Sequence, residues 1–259
     1  MTEFTTWLGQ HTLLGGGFLP LCLALLGAVS IGLSKSGLSG TATLSVVLMA
    51  QAFGAKQSVG LVLPLLIAAD LMGYWINRHG GSWRPVWSMA PPAMLGVVVG
   101  WISLDQIDNS SARIVIGWLI LGLLGFKLVL DWKRQELLAL TEHGGFAWSM
   151  GFTAGVTTML ANAAGPVMTV YLLSKRLEKK EHIGVFVRFF LFINLFKVPF
   201  SANLGIINAR SLSTNLVLLP AVIAGILLGW QILKRIPQKS FEWLLFVLTL
   251  FAAAWLIAS

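Results

Sequence analysis

The chain has 259 residues, of which 56% are hydrophobic and only 11% charged, whereas water-soluble domains carry charge on about a quarter of their residues. This composition excludes an ordinary soluble domain and leaves most side chains to face lipid or other apolar helices. The formal net charge of +8 would suit nucleic acid in a soluble protein, but the charges fall between apolar runs, which assigns them to membrane sidedness and leaves no nucleic-acid partner expected.

The opening MTEFTTWLGQH has no basic residue ahead of the first apolar stretch, so it lacks the start of a cleaved signal peptide and that stretch is expected to remain in the mature protein. Apolar runs then follow at roughly 13–33, 38–54, 59–77, 85–104, 112–130, 146–161, 163–173, 183–207, 214–233 and 241–258. Continuous runs predict helices rather than the alternating strands of a barrel, and several approach the ~20 residues that cross ~30 Å of hydrocarbon. The pair at 146–161 and 163–173 is too short for two full crossings and predicts a hairpin of half-length helices. Cys22, the single cysteine, lies in the first run, which excludes an internal disulfide and a cysteine-based metal cluster.

Sorting the cations by loop gives a sidedness. Arg78 and Arg84, Lys133 and Arg134, Lys175, Arg176, Lys179 and Lys180, then Lys234, Arg235 and Lys239 fall in one set of loops, and only Lys56 and Arg210 in the other. The positive-inside rule makes the first set cytoplasmic. It places Asp105, Asp108 and both termini on the periplasmic side, and it requires 146–173 to enter the membrane and return.

The stretch PPAMLGVVVGW, Pro91 to Trp101, is matched by PAVIAGILLGW, Pro220 to Trp230. Each half then reads as a hairpin followed by three crossings, repeat 1 over 13–132 and repeat 2 over 144–258, in a single membrane domain. Three crossings separate corresponding points, so the halves are expected to be inverted. The expected fold is an all-α polytopic membrane protein of two inverted-topology repeats, an arrangement used by secondary transporters with a site near the midplane.

Polar residues inside apolar runs are the candidate site. The first hairpin turns at GLSKSGLSG, Gly32 to Gly40, bringing Ser34, Lys35, Ser36, Gly37 and Ser39 between apolar arms. A helix starting near Leu38 offers free amides and a positive dipole end to an anion. Set against this, a long lysine stem can simply carry its ammonium to an interface. The second hairpin turns at MLANAAGPVM, where Asn162, Gly165 and Pro166 supply an amide, a flexible link and a helix-starting proline. Asp70 is the one acidic residue inside an apolar run and needs a partner or water there. Two roles stand open for it, coupling-proton carrier or structural counter-ion. In the corresponding crossing, Asn194 takes the place of Asp70, and Lys197 shares its helix face. Lys197 is expected to pair with Asp70 or to touch substrate, while Arg188 points the other way near the cytoplasmic end, as an anchor or a further charge partner.

His11, His79, His143 and His182 fall in loops or at segment ends, so no intramembrane histidine relay is expected. Trp7, Trp83, Trp87, Trp132 and Trp148 lie where an aromatic belt would sit. No nucleophile with a base and no metal-ligand cluster occurs within the apolar runs, so neither enzyme activity nor a cofactor or metal is expected.

The glycine- and serine-rich first turn, the segment GFTAGVTTMLANAAGPVMTVYLL at 151–173 and the repeated Pro to Gly-Trp stretches resemble the TauE/SafE sulfite-exporter family over nearly the whole chain. The resemblance implies a bacterial inner-membrane protein that exports sulfite or moves sulfonates and other sulfur-containing organic anions, with Gly32–Gly40 and Asn162–Pro166 as the substrate region. The expected partners are a small anionic substrate and membrane lipid. A passive anion channel on the same frame, or a carrier of another small organic anion, are the alternatives.

Overall fold

The computed structural model describes residues 12–14, 17–36, 38, 40–78, 80–132, 145–175, 177–235 and 238–258. The expectations placed on Gly37, Ser39, Trp7, His11, His79, His143, Lys133, Arg134 and Arg176 lie outside the described residues. Among the described residues the regular structure is ten helices: α1 Phe18–Lys35, α2 Gly40–Phe53, α3 Ala55–Ile76, α4 Arg84–Gln106, α5 Asn109–Trp132, α6 Phe146–Ala161, α7 Gly165–Ser174, α8 Lys179–Asn203, α9 Ala209–Arg235 and α10 Gln238–Ala258.

Six of these, α1, α3, α4, α5, α8 and α9, are long and apolar enough to cross a membrane. The hairpin arms are shorter, with 14 residues in α2 and 10 in α7, about 21 and 15 Å of helix. With 18 residues, α1 is nearly a full crossing, in keeping with the long apolar run at 13–33. The outward faces carry Phe18, Trp75, Trp118, Leu216 and Phe251, each more than three-fifths exposed. Such an apolar surface is stable only against lipid. The chain is a multi-pass membrane protein.

Helix packing is set by glycine. A Cβ on Gly96 of α4 would collide with the Phe152 carbonyl oxygen of α6, and one on Gly155 with that of Ala93. On the other seam a Cβ on Gly225 of α9 would strike the Val29 carbonyl of α1, and one on Gly32 that of Val222. The matched Pro to Gly-Trp stretches thus each press onto the first arm of a hairpin, α4 onto α6 and α9 onto α1. Close approach of this kind replaces the hydrophobic drive that lipid removes.

Among the described residues, members of each charge-sorted set of loops meet one another. In one set, Lys56 donates through Nζ to the Ile107 carbonyl at 2.9 Å, and Gln57 to that of Ile206 at 3.3 Å. In the other, Gly80 lies so close to Lys180 that a Cβ on it would come within 3.0 Å of the Lys180 carbonyl oxygen. Between them α3 packs against α8 and carries Asp70 to Asn194.

Candidate anion site between two helix breaks

The first break follows Lys35, the last residue of α1. Its ammonium reaches Asp70 Oδ1 on α3 at 2.5 Å, the lysine side chain 9% exposed and the carboxylate fully buried. The second carboxylate oxygen of Asp70 accepts from Asn194 Nδ2 at 2.8 Å. The Phe190 ring stands beside the ammonium, 5.2 Å to its centroid. A carboxylate in the middle of a membrane helix is tolerated only when held in this way.

The second break is made by Asn162, whose backbone is left-handed with φ 53° and ends α6. Asparagine is among the few side chains that adopt this conformation readily. Its Nδ2 donates to the Val59 carbonyl at 2.9 Å, and its Oδ1 accepts from Lys197 Nζ at 2.5 Å. Lys197 also donates to the Thr158 carbonyl at 2.7 Å and reaches Thr158 Oγ1 at 3.2 Å. It is fully buried, and among the described residues its partners are these neutral oxygens.

The partner of Asp70 is therefore Lys35, not Lys197 as one sequence expectation had it. The reason is axial. Lys197 lies one turn beyond Asn194 on α8, so its stem runs past Asp70 to the end of α6. Arg188 also departs from the charge-pair expectation. Its guanidinium donates to the Gly80 carbonyl, and at 3.0 Å each to those of Arg78 and Gly184, with Tyr74 and Trp83 rings at 5.4 and 5.9 Å. It clamps the α3–α4 loop to the start of α8, buried rather than at an interface. Trp83, Trp87, Trp132 and Trp148 are exposed, as a belt requires.

A cavity of ≈ 320 Å³ opens beside the first break, lined among others by Ser34, Lys35, Ser36, Gly73, Thr169 and His182. It lies toward the end of the molecule that carries Arg78, Lys175 and Lys180, since Ile76, Asn77 and Ile183 also line it. Most of the remaining lining is apolar, including Met72, Phe186 and Val187. His182, expected only as a loop residue, is part of this wall. A smaller chamber of ≈ 30 Å³ is bordered by both breaks, through Ser34, Lys35, Thr158, Asn162, Gly165 and Asn194. It has room for about one water. Asn194, which borders it, keeps its Oδ1 buried without a hydrogen-bond partner among the described residues.

The donors expected for an anion are fewer than the polar residues suggest. The Ser34 and Ser36 hydroxyls donate to the Ile31 and Leu33 carbonyls of their own helix, each at 2.7 Å, so both protons point away from a ligand. Asn162 and Asn194 have each committed one of two amide protons, to Val59 and Asp70. Lys35 alone among the named site residues is a cation bordering both spaces. Gly165, where a Cβ would meet nothing within 4 Å, leaves the chamber open on the α7 side. The sequence reading missed Thr158, Phe190 and Gly73. Thr158 could have been found as a hydroxyl four residues before the Asn162 break; an apolar ring and an absent side chain give no such signal.

A family model described as sulfite exporter TauE/SafE matches residues 22–256. The chain is also similar to a probable inner membrane transporter protein, TsaS, of Comamonas testosteroni, at 24% identity over 192 residues, 72% of this chain and 77% of the relative. No solved structure matches.

Proposed function

The chain belongs to the sulfite exporter TauE/SafE family and is a membrane transporter, and we propose that its cargo is a small sulfur-containing anion, sulfite or an organosulfonate, carried across the bacterial inner membrane by alternating access. The observation that carries this reading is a lysine ammonium at a helix break, 9% exposed, on the wall of a ≈ 320 Å³ cavity. A buried cation with an open face is a site for an anion that has left water behind. The apolar wall leaves room for an organic body attached to the charged group.

The cavity reaches the end that carries Arg78, Lys175 and Lys180, which by the positive-inside rule would face the cytoplasm and leave both termini periplasmic. Support for inverted repeats comes from the paired seams, α4 on α6 and α9 on α1, with matching glycines in each. Rocking of one half against the other would then close the cytoplasmic opening. When an anion takes Lys35, Asp70 keeps its hydrogen bond from Asn194, and a coupling proton carried on this carboxylate would accompany the exchange. The carrier needs no bound cofactor in this reading.

The test is uptake of labelled sulfite, sulfate, a sulfonate and a carboxylate into vesicles holding the purified protein, beside Lys35→Ala. Saturable uptake of the sulfur anions, lost in the variant, is expected. Equal uptake by Lys35→Ala would remove this residue from the site. Flux that neither saturates nor responds to a counter-gradient would make the protein a channel.

A further inference from the structure

Lys197 presents a different problem from Lys35. It is fully buried and donates to the Thr158 carbonyl, Thr158 Oγ1 and Asn162 Oδ1. Three acceptors around one nitrogen match the three protons of an ammonium. None of the three is charged, and the ion pair among the described residues is Lys35–Asp70. The position is the C-terminal end of a broken helix: Thr158 lies in the last turn of α6, and Asn162 terminates it. Backbone carbonyls at such an end carry the negative pole of the helix, and half-helix ends of this kind are where secondary transporters hold coupling cations.

We propose that this is a monovalent-cation site permanently filled by the protein itself, with the Lys197 ammonium standing where a diffusible cation would otherwise bind. The oxygen set is suited to such an ion: one carbonyl, one hydroxyl and one side-chain amide oxygen. The orientation of that amide is fixed, because Asn162 Nδ2 is committed to Val59. Lys197 does not border either space at the break, so it holds the second break in shape and leaves anion contact to Lys35. The consequence is sodium-independent transport, and a latent site that appears when the ammonium is cut away. The site itself stands on geometry; only its transport consequence rests on the proposed function.

The experiment measures thermal unfolding of purified Lys197→Ala in choline chloride and in methylammonium, sodium or lithium chloride at equal ionic strength. Methylammonium offers the same three donors as the lost side chain, and sodium or lithium can complete its shell with water in the vacated space. A saturable rise of several degrees with methylammonium or an alkali cation, absent in wild type, is expected. Lys197→Met, whose stem fills the space, should show no such rise. A folded Lys197→Ala that responds to none of these cations, or a wild type that responds equally, would overturn the proposal. Anion flux in wild-type vesicles supplies a second measurement that needs no variant: replacing sodium by choline should leave it unchanged, and a strict sodium requirement would count against the proposal. A vesicle preparation without anion flux would contradict the transport reading, while the unfolding measurement would still decide the cation site.

Discussion

The two helix breaks use the same ingredient to different ends. Each places a lysine ammonium at the end of the first arm of a hairpin, Lys35 at α1 and Lys197 at α6. At the first, the partner is a carboxylate and the cation keeps 9% of its surface open beside a cavity. At the second, the partners are neutral oxygens and burial is complete. The crossings that carry Asp70 and Asn194 differ three residues further on. Asp70 is followed three residues later by Gly73, and Asn194 by Lys197, so the missing side chain at Gly73 contributes to the open wall where its counterpart fills space. Access, rather than charge alone, separates a binding cation from a fixed one.

Removing a fixed cation should cost the most. Lys197→Met takes the ammonium donor from three oxygens of the α6 break, and about 3 kcal/mol of stability should be lost, read as a fall in the unfolding midpoint with transport abolished. Lys35→Ala should follow at about 2–3 kcal/mol, since truncating Lys35 opens the carboxylate left behind to the cavity beside it. Adding Asp70→Asn to that variant should recover most of the stability and none of the transport, which a purely structural pair could not explain. Asp70→Asn alone should abolish any pH-driven component of flux; unchanged proton dependence would leave Asp70 as a counter-ion only. Arg188→Lys, which loses the planar fork, should cost about 1–2 kcal/mol and loosen the α3–α4 loop, seen as faster amide exchange there. Gly165→Ala should be smallest for stability, within about 0.5 kcal/mol because its Cβ meets open space. Its reduction of anion affinity would sharpen the assignment of the chamber.

Much of the helical layout was legible because lipid imposes it: runs of apolar residues near 20 long leave few alternatives. The short pair at 146–173 announced its hairpin through length, and the turn between its arms through Gly165 and Pro166; that Asn162 itself takes the left-handed conformation emerged only with the structure. Asp70 and Asn194 were legible as counterparts because each is polar where apolar residues are required. Their partners were not. Whether Lys35 or Lys197 meets Asp70 depends on where α1 ends relative to α3, a tertiary distance that no local pattern encodes. The serine protons turned back onto α1 were equally hidden, because a hydroxyl near a helix end can serve its own backbone or a ligand with the same sequence. Gly73 and Phe190 shape the site through an absence and through an apolar ring, neither of which stands out in a membrane helix.

The most direct test of the contrast between the two lysines is calorimetric titration of methanesulfonate into purified wild type, Lys35→Ala and methylammonium-supplemented Lys197→Ala. Saturable binding in wild type, retained in the supplemented Lys197→Ala and lost in Lys35→Ala, is the predicted result. Binding that survives loss of Lys35 and vanishes with Lys197 would contradict the account.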